Sequence, residues 1–396
     1  MKEGWKDVLI GDVCFVQGGS TPRRTDESLW KDGTYPWFTV EDIRNQGRVI
    51  TDTKQKVTKK AWDSLRVFPK DTILLCCTAS VGEYAITKID ISSNQQFNGI
   101  TIKDKTEISP MYLFYFCSTL KDKLLENSGK STIDFVSGAK VRSLHLSYPP
   151  LPEQERIVKI LDAAFEKIDR LKQNAEKGLQ EVKNLWQATL KEELKPKEGW
   201  NLYTLKDIIA DISYGTSVPS CENGEYVYLR MNNITNDGRL DLKGSKTITL
   251  TEKELEKCIV RKGDILFNRT NSMELVGKSC VFDQDDSMVI AGYIIRIRLQ
   301  KEYDPQFVSY SMNYMRSLGL FRNLIVGAVH QANISAKAIQ TIRFSIPSLE
   351  KQQSIASKFD DIFDKCRLLR ENYLQEIDKY ESLKQSILRK AFSGEL

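Results

Sequence analysis

Side chains suited to contacting nucleic acid gather in a few stretches rich in glycine, serine and threonine. One stretch runs from Gln17 to Arg24 and ends in two arginines, and a counterpart runs from Tyr214 to Ser220. In the major groove, arginine bonds bidentately to guanine and asparagine or glutamine to adenine, while serine and threonine hold phosphates. The candidate contacts are Ser20, Thr21, Arg23, Arg24, Trp37, Thr78, Ser80, Gln95, Gln96, Thr216, Ser217, Arg230, Asn232, Asn233, Arg269, Thr270, Asn271 and Ser272.

Each candidate taken alone also fits an ordinary turn, because Gly-Thr-Pro and Asn-Ser segments are common in turns. What favours the group is its placement. Residues 268–272 follow a strand-like run at 264–267, and residues 76–80 stand at the equivalent place in the first half of the chain. The sequence therefore predicts a nucleic-acid-contacting region more firmly than it predicts any one contact.

Catalytic chemistry has no comparable signature. The sequence contains no Gly-x-Gly, which argues against a nicotinamide fingerprint and against the glycine loop of an S-adenosylmethionine enzyme. Gly277-Lys278-Ser279 resembles the end of a phosphate-binding loop, but residue 272, where that loop needs its first glycine, is serine. The nuclease-like triplets Asp52-Thr53-Lys54 and Glu193-Leu194-Lys195 are expected by chance in a chain with 28% charged residues.

Composition bounds the class of protein. The 396 residues are 41% hydrophobic and 28% charged, as in globular proteins. No uncharged apolar run approaches the roughly 18 residues of a membrane span, and the N-terminus lacks the apolar stretch of a signal peptide. Eight scattered cysteines never form Cys-x-x-Cys, so we expect reduced thiols, a cytoplasmic protein and no zinc site. The two histidines, His145 and His330, lie apart from each other, which favours structural roles.

The net charge of +5 is unevenly distributed. Residues 152–195 and 348–396 each carry nine basic and nine acidic side chains, so the whole excess lies in the remainder of the chain. A polyanion, if one binds, is expected to bind outside those two segments.

The chain contains a long internal repeat. Lys2-Glu3-Gly4-Trp5 recurs as Lys197-Glu198-Gly199-Trp200, and from Pro149 onward the two copies align without a gap at an offset of 198 residues. The period is far longer than the 20–50 residues of solenoid repeats. We therefore divide the chain into four parts: 1–150, 151–195, 196–347 and 348–396.

Two of these parts are predicted to form long helices. Apolar positions from Ile157 to Thr189, and again from Ile355 to Ile387, step by four and three, which predicts a coiled-coil seam on helices of about 40 residues. One mid-seam slot holds Gly178 in the first copy and Glu376 in the second. Both are poor seam residues, so that slot is open to a gap, a partner contact or simple looseness.

The other two parts, 1–150 and 196–347, read as mixed α/β, and the fold class predicted for the whole chain is α+β. Short β-branched and aromatic runs predict strands at 72–75, 85–89 and 294–299. One helix follows a proline in each part, at 111–125 and at 306–325.

Several motifs together resemble the specificity subunit of type I restriction-modification enzymes. They cover essentially the whole chain. The motifs are Gly18-Gly19-Ser20-Thr21-Pro22 with Pro36-Trp37 downstream, the run from Gly263 to Ser272, Pro149-Pro150-Leu151-Pro152-Glu153-Gln154-Glu155-Arg156, and the terminal Ala391-Phe392-Ser393-Gly394-Glu395-Leu396. The second copy departs at Ile346-Pro347-Ser348-Leu349-Glu350-Lys351-Gln352, which lacks the Glu-Gln pair.

The resemblance implies an architecture and a set of partners. Parts 1–150 and 196–347 would be target recognition domains in a pseudo-two-fold tandem repeat, each reading half of a split sequence in double-stranded DNA. Parts 151–195 and 348–396 would be antiparallel spacer helices that set the gap between the half-sites. The partners would be two adenine-methylating modification subunits and restriction subunits that translocate and cut. Those partners, and not this chain, would use S-adenosylmethionine, ATP and magnesium.

Two other functions stay open on the sequence alone. One is a tandem scaffold that binds only protein, which DNA binding at two salt concentrations would distinguish. The other is an enzyme with an unrecognised site, which is disfavoured because the two related halves share no catalytic cluster.

Overall fold

The computed structural model describes residues 4–126, 136–328 and 331–396. The chain forms two compact units. Unit 1 comprises Met1–Ala175 with Gln375–Leu396, and unit 2 comprises Glu176–Leu374. Each long helix therefore contributes one part to each unit.

Unit 1 contains ten short strands and six short helices in its described globular part. The strands are β1 (Lys6–Leu9), β2 (Cys14–Gly18), β3 (Tyr35–Phe38), β4 (Val49–Ile50), β5 (Gln55–Val57), β6 (Ile73–Cys76), β7 (Tyr84–Thr87), β8 (Ser92–Ser93), β9 (Phe97–Ile102) and β10 (His145–Tyr148). The helices are α1 (Ile10–Val13), α2 (Val40–Gln46), α3 (Lys59–Trp62), α4 (Pro110–Cys117), α5 (Lys121–Glu126) and α6 (Gly138–Arg142), with a 3-10 turn at Glu27–Leu29.

The strands of unit 1 form three sheets. The largest has the order β2-β9-β6-β7-β4, and its first four strands are antiparallel neighbours. A second sheet has the order β5-β3-β8, with β3 and β8 parallel, and β1 pairs with β10. The main core packs this large sheet against α4, against Ile157 and Leu161 of the first long helix, and against Leu388 and Ala391 of the second.

Unit 2 repeats this plan with additions. Its strands are β11 (Asn201–Thr204), β12 (Ile209–Tyr214), β13 (Tyr226–Leu229), β14 (Lys246–Ile248), β15 (Ile259–Val260), β16 (Ile265–Asn268), β17 (Thr270–Asn271), β18 (Ser279–Val281), β19 (Met288–Ile290), β20 (Ile294–Leu299), β21 (Val326–Ala328), β22 (Gln331–Asn333) and β23 (Arg343–Ile346). Its short helices are α8 (Leu205–Ile208), α9 (Glu252–Cys258), α10 (Pro305–Ser317) and α11 (Ala336–Ile339), with 3-10 turns at Met231–Asn233 and Arg322–Leu324. The long helices are α7 (Leu151–Leu194) and α12 (Leu349–Ser393).

The sheets of unit 2 match those of unit 1 except at one strand, since the large sheet of unit 1 ends in β4, whereas unit 2 has β15 in its second sheet. The order β12-β20-β16-β18 corresponds to β2-β9-β6-β7, β14-β13-β19-β15 contains the equivalent parallel pair, and β11 pairs with β23 as β1 does with β10. Unit 2 adds a small sheet, β17-β22-β21. The internal repeat of the sequence is thus a repeat of topology, and the predicted mixed α+β class is confirmed.

The two long helices are confirmed, and the predicted seam is confirmed in part. Ile157, Leu161, Ile355 and Phe359 of the seam are buried, whereas Leu171, Leu185, Leu369 and Leu383 are 42–54% exposed. The helix α7 has 44 residues and α12 has 45. In unit 1, Asp169 pairs with Lys384 and Lys172 with Glu381. The residue numbers run in opposite directions, so the two helices are antiparallel there. In unit 2 the order is again opposite, with Trp186 packed on Phe363 and Glu193 paired with Lys358.

The mid-seam slot is occupied. A Cβ added at Gly178 would lie 2.4 Å from the ring of Tyr373, so the glycine makes room for that ring in unit 2. At Gly178, close packing between the two helices is therefore observed in place of the gap, partner contact or looseness that the sequence left open.

The helices that follow the prolines are shorter than predicted. The first ends at Cys117, where the hydroxyl groups of Ser118 and Thr119 donate to the carbonyls of the last turn. The second ends at Ser317, two residues before Gly319, which adopts a φ of +73°. In the described part of the chain, no helix is long and apolar enough to cross a membrane.

Candidate nucleic-acid interface

Three loops of unit 1 meet at one end of its large sheet. The loop after β2 contains Ser20, the loop between β8 and β9 spans 94–96, and the loop after β6 begins at Cys77. The N–H of Ser20 donates to the Ser93 carbonyl (2.8 Å), and the N–H of Cys77 donates to the Gln96 carbonyl (2.8 Å). Predicted contacts that are distant in sequence therefore share one surface.

The side chains on this surface are mostly accessible. Ser20 and Gln95 are exposed, and the Thr21 hydroxyl donates to Gln95 Oε1. Gln96 Oε1 accepts a bond from Asn94 Nδ2 at 2.9 Å. Half-buried side chains complete the set: Thr21, Thr78, Ser80 and Gln96.

The two arginines of the first loop are exposed, and one of them is held in place. The guanidinium carbon of Arg24 lies 3.9 Å from the ring centroid of Trp30 and 4.6 Å from that of Trp37. Its Nη1 donates to Gln55 Oε1 at 2.9 Å. Stacking fixes the plane of the guanidinium while its other N–H groups stay available, which is the preorganisation that bidentate recognition requires. The carbonyl of Arg23 accepts from Trp30 Nε1 and from the N–H of Asp26, each at 3.2 Å.

Three residues predicted to contact DNA are instead buried in the domains beneath the loops. Trp37 is 1% exposed and donates from Nε1 to the Ser20 carbonyl at 3.2 Å. Asn233 is 2% exposed, and its Nδ2 donates to the Asp241 carbonyl at 2.8 Å. Thr270 is buried inside β17. Their burial gives these residues a structural role in holding the surface.

A glycine is required at the first loop in both units. A Cβ at Gly19 would lie 2.4 Å from the Asn94 carbonyl oxygen, and one at Gly215 would lie 2.2 Å from the Ala291 carbonyl oxygen. No side chain fits at those separations. The same close approach of two loops therefore occurs in both units.

Unit 2 places its loops in the same way. The N–H of Thr216 donates to the Ile290 carbonyl (2.9 Å), and the N–H of Arg269 donates to the Tyr293 carbonyl (2.9 Å). Thr216 is half-buried, and Ser217 is exposed. The loops after β12, before β20 and after β16 therefore meet at the equivalent end of the equivalent sheet.

Arg269 is the most constrained cation of this second surface. Its guanidinium carbon lies 4.7 Å from the ring centroid of Tyr214, and its Nη1 donates to the Gly292 carbonyl at 3.3 Å. Its Nε is buried without a partner among the described residues. The neighbouring candidate Asn271 ends β17, and its Oδ1 accepts from the N–H of Ser272 at 2.9 Å.

A further candidate lies on the turn after β13. The Arg230 side chain donates from Nη2 to the Gly244 carbonyl at 3.1 Å, and Asn232 is exposed. The carbonyl of Leu229, directly before Arg230, accepts from the N–H of Ala291 at 2.9 Å. This turn therefore borders the loop before β20.

The sequence analysis missed the hairpin formed by β21 and β22. This hairpin pairs with β17. A cavity of about 350 Å³ is lined by Arg269, Gln331, Asn333 and Ser335 together with Val326 and Gly327 of the hairpin. The Oδ1 of Asn333 is buried without a partner among the described residues. The residues that line this cavity include no carboxylate, so their hydrogen-bond donors suit the electronegative atoms of a ligand.

Among the described residues, the cysteine and histidine side chains do not point to nucleophilic catalysis. Cys77 occupies the place in unit 1 that Arg269 occupies in unit 2, and burial raises the pKa of Cys77 to about 11, which keeps its thiol protonated at neutral pH. His145 is exposed, with Nδ1 3.2 Å from Asp7 Oδ2, while His330 lies outside the described residues. Over the described ranges, no group of three His, Cys, Asp or Glu residues could hold a metal ion.

Comparison with known proteins agrees with this geometry. A family model described as "Type I restriction modification DNA specificity domain" matches residues 2–181 and again 197–379. The type I restriction enzyme EcoKI specificity subunit of Escherichia coli is 24% identical to this chain over all of it and over 90% of that relative.

Solved structures share the fold. One, from work on "complex assembly and conformational transition of the type I R-M system", has a TM-score of 0.80 at 19% identity and covers 100% of this chain and 99% of its own. The HsdS subunit from Thermoanaerobacter tengcongensis has a TM-score of 0.57 at 19% identity and covers 100% of this chain and 98% of its own.

Proposed function

The chain belongs to the family of type I restriction modification DNA specificity proteins, and from this premise we propose how its two surfaces divide the recognition of DNA. It is a non-catalytic specificity subunit that recognises a bipartite DNA target with two domains. The surface around Ser20, Arg24 and Gln95 reads one half-site, and the surface around Thr216, Arg230 and Arg269 reads the other.

One observation carries this assignment. Both units bring the same three loops to the same end of the same sheet, through equivalent backbone bonds, yet the side chains differ. Arg24 stacks on two tryptophans in unit 1, whereas Arg269 stacks on a tyrosine in unit 2. A shared scaffold with unlike side chains is what reading two unlike sequences requires, since phosphate contacts position a protein and base contacts specify the sequence.

The spacer helices carry the partner-binding role. The chain works with other subunits of a restriction-modification system, and we place two modification subunits on α7 and α12, with restriction subunits joining them. Six leucines of these helices are 42–59% exposed, namely Leu171, Leu185, Leu368, Leu369, Leu374 and Leu383. A cavity of about 550 Å³ in unit 2 is lined by Leu179, Trp186, Phe363 and Leu374 among others. Exposed apolar surface of this kind is typical of protein interfaces.

Cofactor chemistry belongs, in this proposal, to the partner subunits. S-adenosylmethionine would serve methylation, and ATP with magnesium would serve translocation and cleavage. We also place the protein in the cytoplasm, where all eight cysteines would remain reduced; none of them forms a disulfide.

The test is the methylation pattern made by the complex of this chain with its modification subunit. Single-molecule sequencing of modified adenines should give a split motif with two unlike halves and an unspecified gap. A continuous or palindromic motif would contradict the assignment. Duplex binding that is absent at two salt concentrations would instead favour a scaffold that binds only protein.

A further inference from the structure

A buried glutamine lies in the first turn of each long helix. Gln154 of α7 is 0% exposed and Gln352 of α12 is 1% exposed. The two residues are equivalent, because they are separated by the repeat offset of 198. Gln352 is also what remains of the proline–glutamine motif in the second copy, where Lys351 replaces the preceding glutamate.

Each glutamine makes the same three bonds to backbone. Gln154 Oε1 accepts from the N–H of Ser109 (2.9 Å), and its Nε2 donates to the carbonyls of Glu107 and Pro149 (2.8 Å each). Gln352 Oε1 accepts from the N–H of Asp304 (2.8 Å). Its Nε2 donates to the carbonyls of Pro347 (3.0 Å) and Glu302 (3.4 Å).

Only a carboxamide of this length satisfies all three groups. Glutamine offers one acceptor and two donors, whereas glutamate would lose both donors and bury a charge. Methionine or leucine would leave three backbone groups unpaired. The departure at position 351 therefore leaves these three bonds intact, because Gln352, which makes them, is retained.

A second polar contact lies further along the same helices. The hydroxyl of Tyr115 donates to Asp162 Oδ1, and that of Tyr310 donates to Asp360 Oδ1 at 2.7 Å. Burial, assisted by the neighbouring carboxylate, raises the pKa of Tyr115, so its hydroxyl remains a donor at physiological pH.

The two contacts have identical spacing in both units. On the long helix, eight residues separate the glutamine from the aspartate in each copy, which is about 12 Å along the axis. On the domain side, six residues separate the N-cap of the proline-led helix, Ser109 or Asp304, from its tyrosine. Together with the apolar packing of Ile157 and Leu161, two polar contacts about 12 Å apart restrict the direction of the helix more than one contact does.

We propose that these paired contacts, Gln154 with Tyr115–Asp162 and Gln352 with Tyr310–Asp360, are positioning devices that fix the direction of each spacer helix relative to its own recognition domain and thereby restrict the gap that the complex accepts. This inference rests on the proposed recognition of a bipartite target. None of the six residues touches DNA in this assignment.

The stiffness of the joint between each helix and its domain links these contacts to the gap length that the complex accepts. One added base pair changes the DNA by 3.4 Å and by about 34–36° of twist. A protein with rigid joints must strain itself or the DNA to span the altered gap, whereas a loosened joint absorbs the change. Loss of a positioning contact should therefore leave half-site reading intact and weaken only discrimination between gap lengths.

The experiment uses the complete complex of this chain with its modification subunit. Initial methylation rates are measured on duplexes with the native gap, with the gap longer by one base pair, and with either half-site scrambled. The variants are Gln154→Met and the milder Tyr115→Phe, which keeps the ring packed on Phe165. The matched control is Tyr112→Phe, which removes a hydroxyl from the same helix whose partner, the Ser147 carbonyl, lies within the domain.

We expect the rate ratio of native to lengthened gap to fall about five- to tenfold in Gln154→Met, equivalent to roughly 1–1.4 kcal/mol. Tyr115→Phe should shift it in the same direction, Tyr112→Phe should leave it unchanged, and both half-sites should still be required. An unchanged ratio in Tyr115→Phe, or equal slowing on every duplex, would overturn the inference. If Gln154→Met does not fold, Tyr115→Phe decides. If the unaltered complex accepts any gap or lacks a split target, the proposed function itself fails.

Discussion

Arg269 and Cys77 occupy the same backbone position in the two repeats. The N–H of each donates to the loop before the neighbouring strand, at 2.9 Å to Tyr293 and 2.8 Å to Gln96. The carbonyl of each accepts a bond at 2.9 Å, from Ile334 and Val136 respectively. The fold fixes the backbone here and leaves the side chain free to differ, so a change of specificity can be confined to single residues.

Arg269→Ala tests the reading role of this position. A bidentate arginine contact contributes about 1–3 kcal/mol of discrimination, or roughly 5- to 150-fold. We expect one half of the methylated motif to become degenerate while the other half is unchanged. The control is Arg343→Ala, an exposed arginine on β23, a strand that pairs with β11 and not with the strands that carry the loops. Methylation of the unaltered full motif at an unaltered rate would show that Arg269 does not discriminate between bases.

The cysteines give a residue-scale test of burial. Cys221 is exposed, whereas burial raises the pKa of Cys77 to about 11 and the pKa of Cys14 and of Cys280 to about 12. A raised pKa lowers the thiolate fraction at any pH below it, so these buried thiols should stay unreactive at pH 8, where an ordinary thiol with a pKa near 8.5 already reacts.

Alkylation with iodoacetamide at pH 8 should therefore modify one cysteine rapidly in the folded protein, and Cys221→Ser should remove that fast phase. All eight should react after unfolding. Rapid modification of Cys77 in the folded protein would mean that the first recognition surface is more open than described.

Elements with strong periodicity were predictable from the sequence, and elements without it were not. The helices α7 and α12 were predictable because their apolar repeat continues over many turns, although four leucines of that repeat are exposed. The strand β20 was predictable because β-branched residues are enriched at 294–299. The β21–β22 hairpin was missed because Val-Gly-Ala and Gln-Ala-Asn show neither alternation nor β-branched enrichment.

The candidate site was predictable as a set of loops but not residue by residue. Burial of Trp37 and Asn233 depends on partners far along the chain, such as the Ser20 carbonyl and the Asp241 carbonyl. No local pattern reports such tertiary contacts. The role of Gln352 was hidden for the same reason, since its bonds reach Asp304 and Glu302.

Gly178→Ala tests the packing of the helix seam. Alanine favours a helix over glycine by up to about 1 kcal/mol, but the added Cβ would meet the Tyr373 ring, and overpacking costs about 1–3 kcal/mol. We expect a net loss of about 1 kcal/mol in the free energy of unfolding, measured as a lower melting temperature. In a Tyr373→Leu background the same change should stabilise the protein, and the absence of this sign reversal would contradict the contact.

Two helices of nearly equal length, 44 and 45 residues, connect the two recognition domains along the chain. The repeat tolerates drift in the recognition domains but not from Pro149 through the helices, where the offset of 198 holds without a gap. Helix length is therefore constrained where loop length is not. Our central claim is that the two domains read unlike half-sites at a separation that the helices set.

The most direct measurement is the methylation motif of a variant with four residues inserted after Ala175 and four after Tyr373. These positions are equivalent in the repeat, so the inserted segments face each other and pairs such as Gly178 with Tyr373 are kept. The insertion adds about 6 Å to each helix, at most roughly two base-pair steps of 3.4 Å. The account predicts the same two half-sites separated by a longer gap. An active variant whose motif keeps the original gap would contradict it.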